Sequence, residues 1–406
     1  MDNFVTTIFK ILGYFPISIA KKPWNNLIVS PPFPNKTKNK STLFWTNLSC
    51  AAPVISFSFL VCSVLTIFFV ILPDIISHPT AHIRKRRRQT NTFYAALILK
   101  CILHIFTASF VKVGMFLERK SLTKLYKDIH KLSMLLYRFN VSNGLVPSKT
   151  GPKTGNRFSA QLLIQILLFL TIISVGMAEI IYNMLSQPGV KFPFVFVYCA
   201  PVGLGYFHSI FSFVLVYTLN WFLELLLQIK VMVEWEREQI LGAEFLSGVE
   251  NFEIQSIMNF YAFLHQQVKC FNKLFGIWVT IDMIHSIARI IFSSYFLATQ
   301  TNYATLNGIS GTVHDFMTVG LYFYIIYAVC TKASELVEES GGIVKDLNSF
   351  IKLVNQNKNY WGKLYRKSDP LRVQTNFFNV NLQLLTPVVG TITTYLIVLI
   401  QFQGSG

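Results

Sequence analysis

From Thr386 to Phe402 the chain carries no charged residue. At 1.5 Å per residue, 17 residues of helix span roughly 25 Å, barely the thickness of a bilayer's hydrocarbon layer. Six comparable apolar windows precede it: 48 to 72, which ends before Pro73, then 93 to 117, 158 to 183, 194 to about 233, 274 to 300, and 313 to about 333. Windows of this length and apolarity predict membrane helices. Charge agrees with them. Only 14% of the 406 residues are charged and 52% are hydrophobic, where a soluble domain would be about 25% charged. The chain is therefore predicted to be all-α, a polytopic membrane protein with seven transmembrane helices.

Loop charge sets the orientation. With the N-terminus cytoplasmic, segments 1 to 47, 118 to 157, 230 to 273 and 332 to 385 hold 27 of the 36 Lys and Arg residues, against 6 outside. The formal net charge of +17 is thus spread over loops and does not point to nucleic acid. Seven spans then put the C-terminus outside, opposite to a G-protein-coupled receptor. The sequons at Asn35, Asn39, Asn47 and Asn140 all fall on the cytoplasmic side and are expected to carry no glycan. The run Arg84-Lys85-Arg86-Arg87-Arg88 is the exception, in an outside loop, where it suits contact with outer lipid phosphates.

The chain divides into a cytoplasmic N-terminal segment (1 to 47), six helices with a ligand pocket (48 to 334), a cytoplasmic helical anchor region (335 to 385) and a pore helix (386 to 403). Gly404 to Gly406 reads as a linker remnant. The fourth window is too long for the bilayer, since forty residues make roughly 60 Å of helix, so its inner part should stand in the cytosol. Further helical pieces are expected from 241 to 273 and 333 to 353, and a third from Asp369-Pro370 through Phe377 and Phe378 towards Leu385, because aspartate followed by proline suits a helix start. Together these predict a helical cytoplasmic bundle.

Several chemistries find no support. The six cysteines include no Cys-x-x-Cys pair, so neither a zinc site nor a redox pair is indicated. His78 and His82 are four apart but lie beside prolines, and His104 beside Cys101 reads as packing. The proline-broken first 47 residues lack the apolar core of a signal peptide, which predicts an uncleaved N-terminus. No catalytic triad, zinc spacing or phosphate loop marks an enzyme or a cofactor. Paired halves with matching interrupted helices, as in transporters, are not visible.

The last window combines small and hydroxyl residues with bulky apolar ones. At helical spacing Thr391, Thr394, Val398 and Phe402 form a stripe, with Gln401 beside its end. A ring of Val398 and Phe402, one pair per subunit, would make a hydrophobic constriction that closes by dewetting, and Gln401 could rotate in to wet it. The same small residues also suit an ordinary contact between membrane helices. The sequence Thr394-Tyr395, five hydrophobic residues, then Gln401-Phe402 resembles the C-terminal motif of the insect gustatory receptors, taste-neuron ion channels with seven membrane helices. The predicted topology, the long fourth window and the terminal location extend the resemblance over most of the chain. It implies a homotetramer at the plasma membrane, alone or with other gustatory receptor subunits, permeant cations, and a pore through Val398 and Phe402, where the related insect olfactory coreceptor is constricted. No acidic ring is present in the last window, so cation selectivity comes from the resemblance alone.

Charged groups within membrane spans are costly and mark function. Counted from span ends, Lys100, His104, Glu179, His285, Arg289 and Asp315 fall in the outer half, with Tyr206, His208 and Tyr322 at comparable depth. Asp282, His285 and Arg289 share one face of the fifth window by their spacing. These groups predict a polar, aromatic-rimmed pocket open outwards within one subunit, or a set of interhelical bonds that holds the bundle together. The expectation is a ligand-gated, non-selective cation channel for a small-molecule tastant, a bitter or other plant-derived compound or a sugar. Membrane lipid would be its other partner. A metabotropic receptor and a transporter are the alternatives.

Overall fold

A computed structural model of the chain describes residues 91–145, 192–242, 252–299, 306–357 and 369–404, with isolated positions at 167, 171 and 174. The window at 48 to 72, nearly all of that at 158 to 183, His78, His82 and the Arg84 to Arg88 run lie outside the described residues. Six α-helices are described: α1 Asn91–Leu117, α2 Arg119–Ser142, α3 Phe192–Gly242, α4 Phe252–Thr299, α5 Leu306–Asn357 and α6 Leu385–Gly404. The described residues contain no strand, only a single bridge between Gln374 and Asn379. Four of these helices (α3 to α6) are long and apolar enough to cross a membrane.

The helices overshoot the predicted windows. α3, α4 and α5 are 51, 48 and 52 residues long, each about 75 Å against roughly 30 Å of hydrocarbon. The expected pieces at 241 to 273 and 333 to 353 are not separate helices: residues 252–273 of the first belong to α4, and the second belongs to α5. They continue the fifth and sixth windows without a break. α4 is the central column, packed against α1, α2, α3, α5 and α6. On its inner half Phe271 and Phe275 stack at 4.6 Å, Phe222 of α3 meets Phe271 edge-on at 5.5 Å, and Trp278 meets Phe275 edge-on at 5.4 Å. Gly114 of α1 lets that indole in, because a Cβ there would lie 2.5 Å from Trp278 Nε1.

α2 lies in a segment read above only as a basic loop. Its buried residues Leu122, Leu125, Tyr126, Ile129, Leu132 and Leu136 recur every three or four positions, which makes one apolar stripe. Tyr126 Oη lies 3.2 Å from Thr218 Oγ1 of α3 and fixes the register. Gly144, with φ +69°, then turns the chain away, a backbone conformation that glycine adopts without steric cost. The sequon residue Asn140 is buried on this helix.

The third expected piece is corrected by the structure. Residues 369 to 381 form an irregular strap, and Asp369-Pro370 starts no helix. Side chains of α4 and α5 take up the strap's backbone groups. Tyr261 donates to the Asp369 carbonyl, 3.0 Å, and Ser340 Oγ accepts from the Leu371 amide, 2.8 Å. Asn272 donates to the Arg372 carbonyl, 2.7 Å, and accepts from the Gln374 amide, 3.1 Å. Ser334 Oγ accepts from the Leu382 amide, 2.9 Å. A turn at Thr375, whose Oγ1 accepts from the amides of Phe377 and Phe378, closes the strap. Local helix signals lose here to partners far away in sequence. The 3₁₀ turn Leu382–Leu384 then leads directly into α6.

Candidate functional site

Two sets of residues were singled out above, and they fall in different places. The pocket set lies where α1, α4 and α5 meet, towards the end that loop charge places outside. His104 Nδ1 of α1 and His285 Nε2 of α4 are 2.8 Å apart and buried. At most one of those two facing nitrogens carries the shared proton, since the other must accept it. The His285 ring meets Tyr322 of α5 edge-on at 5.6 Å, and the Arg289 guanidinium lies 5.5 Å from the same Tyr322 ring. Lys100 of α1 bonds Asp315 of α5 at 3.4 Å and sits 4.8 Å from the Phe296 ring of α4. Six of the nine pocket candidates are thus joined into two linked groups: Lys100 with Asp315, and His104, His285, Tyr322 and Arg289. Tyr206 and His208 lie on α3, with side chains outside the described residues, and Glu179 is outside them altogether.

The helical face that carries Asp282, His285 and Arg289 extends further than was read. Ser286, Ser293 and Phe296 continue it at spacings of three and four. Asp282 is buried and accepts a hydrogen bond from Ser212 of α3, 3.0 Å to each oxygen. The same periodicity that exposed Asp282, His285 and Arg289 would have found these serines, whose small uncharged side chains drew no notice. Among the described residues no group of three His, Cys, Asp or Glu side chains could hold a metal ion.

The pore set lies on α6. One side of this helix packs inward through Val388, Ile392, Leu396 and Leu399, the last two against the cluster of Phe292, Tyr295 and Phe296 on α4. The stripe is turned away from that contact. Val398 is 37% exposed and Phe402 63%, and Thr391, Thr394 and Gln401 are exposed too. The threonine hydroxyls are satisfied within the helix: Thr391 donates to the Pro387 carbonyl at 2.8 Å, Thr393 to Val389 and Thr394 to Gly390, both at 2.9 Å. Such back-bonding lets a hydroxyl stripe face either water or an apolar neighbour.

The profile of the 7tm chemosensory receptors matches residues 3–404 of this chain. Among curated proteins nothing matches. Among solved structures the chain is similar to the insect olfactory receptor OR5 from Machilis hrabei. In its complex with eugenol the TM-score is 0.57 at 12% identity, covering 98% of this chain and 97% of that one. A second structure of the same receptor gives 0.52 at 13% identity, covering 99% and 97%. At these identities the likeness shows the fold alone, and it bears out the all-α membrane architecture. With nearly its whole length matched by the family profile, the chain belongs to the 7tm chemosensory receptors, the insect receptor family to which its terminal motif points.

Proposed function

We propose that this chain is a gustatory receptor: a ligand-gated, non-selective cation channel of the plasma membrane, built from four copies with α6 of each around a central pore. The observation that carries the reading is the state of α6. It is a helix of membrane-spanning length of which only 6% of the apolar stretch is buried within its own protomer. A helix left this bare needs lipid or other copies against it, and one helix cannot line a channel alone. A tastant entering between α1, α4 and α5 shifts the equilibrium towards the open state by binding it more tightly. The path to the gate runs down α4 and α5 into the strap that begins α6. The taste role rests on the terminal motif, and the ligand is a bitter or other plant-derived compound or a sugar.

The test is whole-cell current in cells that express this chain alone, screened against such compounds. Ligand-evoked cation current is expected, with basal current raised several-fold in Val398→Ala and Phe402→Ala channels as the apolar constriction widens. Currents that these two substitutions leave unchanged would remove the gate from α6.

A further inference from the structure

Four buried polar atoms near the outer end of α4 have no hydrogen-bond partner among the described residues. Arg289 Nε, Ser286 Oγ and Ser293 Oγ share one face of α4, and His314 Nδ1 is on α5. Such atoms are rare in folded proteins, and each calls for an explanation. The acids nearby are already engaged: Asp315 holds Lys100, and Asp282 accepts twice from Ser212. No carboxylate of the described residues reaches Arg289, whose contact is with the face of Tyr322. His314 directly precedes Asp315, the partner of Lys100, on α5. A histidine or lysine can shed its charge when buried, but a guanidinium cannot. A cation at this depth without a counter-charge is costly.

We propose that the ligand of this pocket is a small organic anion. Its carboxylate accepts hydrogen bonds from Arg289 and from one of the serines a turn to either side, Ser286 or Ser293, and its aromatic or alkyl body lies against Tyr322 and Phe296. This rests on the ligand-gated reading above and narrows it. A sugar presents donors as well as acceptors, and the two carboxylates nearby that would accept from it, Asp282 and Asp315, both have partners. An Arg Nε–H only donates, and a serine hydroxyl can donate beside it, which suits a carboxylate, a group that only accepts.

The test uses the full chain in lipid nanodiscs at neutral pH, with binding read by thermal shift and no current required. Probes are benzoate, cinnamate and octanoate, each paired with its uncharged methyl ester, with sucrose alongside. At least one acid is expected to bind about tenfold or more tightly than its ester, the strength of a charge-assisted hydrogen bond. Arg289→Gln should abolish that preference and Arg289→Lys keep part of it. Should Arg289→Gln fail to fold, the double variant Ser286→Ala, Ser293→Ala should still reduce the preference. Esters or sucrose binding as well as the acids, no acid binding, or a preference unmoved by these variants would overturn the proposal. So would a preference that arises only in Glu179→Gln, which would assign Arg289 to an internal pair. Acid binding without evoked current would instead leave the pocket standing and remove the channel reading.

Discussion

α3 and α6 are both apolar helices of membrane-crossing length, yet the fold treats them in opposite ways. Within the protomer 72% of the apolar stretch of α3 is buried, against 6% for α6. α3 packs against α1, α2, α4 and α5, whereas α6 leans on α4 along one side. Apolarity alone therefore does not say what a helix is for. α3 spends its surface on holding one subunit together. α6 keeps Val398, Phe402 and its threonines outside that structure, where further copies of the chain can share them.

The sharpest way to break this contrast is to truncate a large apolar side chain to alanine in both regions. Phe222→Ala removes a fully buried α3 ring that meets Phe271 edge-on and should cost about 3–5 kcal/mol of stability, seen as early loss of folded receptor on heating. Ile397→Ala, on a residue 50% exposed on α6, should leave the protomer's stability nearly unchanged and act on assembly or current. Equal losses would erase the distinction.

Glycines give a finer version. Gly114→Ala drives a methyl into the Trp278 indole, 2.5 Å from Nε1, and should destabilise by about 1–3 kcal/mol. Gly390→Ala meets nothing within 4 Å inside the protomer. By helix propensity it should be neutral or slightly stabilising in a monomeric detergent preparation. A loss of stability seen with Gly390→Ala only in the assembled receptor would place another copy against that face.

The smallest expected effect lies where the two regions join. Asn272→Ala removes two hydrogen bonds from the strap and should cost about 1–2 kcal/mol. Because the strap leads straight into α6, the change should show in the current's dose dependence more than in the melting temperature. The reverse pattern would make the strap a structural tie only.

The five windows over the described helices were legible because a long charge-free run has few alternatives to a membrane helix. The six residues joined between α1, α4 and α5 were legible because ionisable groups are conspicuous among apolar ones. The strap was not. Asp369 and Pro370 carry an ordinary helix-start signal, and what overrides it are Tyr261, Asn272, Ser334 and Ser340, brought close only by the fold. The stripe of α2 was readable from its spacing but was hidden by the basic residues around it. The breaks expected at the membrane surface before 274 and after 333 are absent, since polar residues on one side of a long helix interrupt its hydropathy and not its hydrogen bonds. Ser286 and Ser293 share the spacing of Asp282, His285 and Arg289, but only the structure shows that their hydroxyls do not bond their own backbone, as a serine on an apolar helix usually does.

The central claim is that four α6 helices enclose the ion path. Imaging the full chain assembled in lipid nanodiscs tests it most directly. The account predicts four copies about one axis, with Val398 and Phe402 of every copy pointing at that axis and narrowing it. A functional receptor with one copy, or an assembly in which these two side chains face lipid, would contradict it.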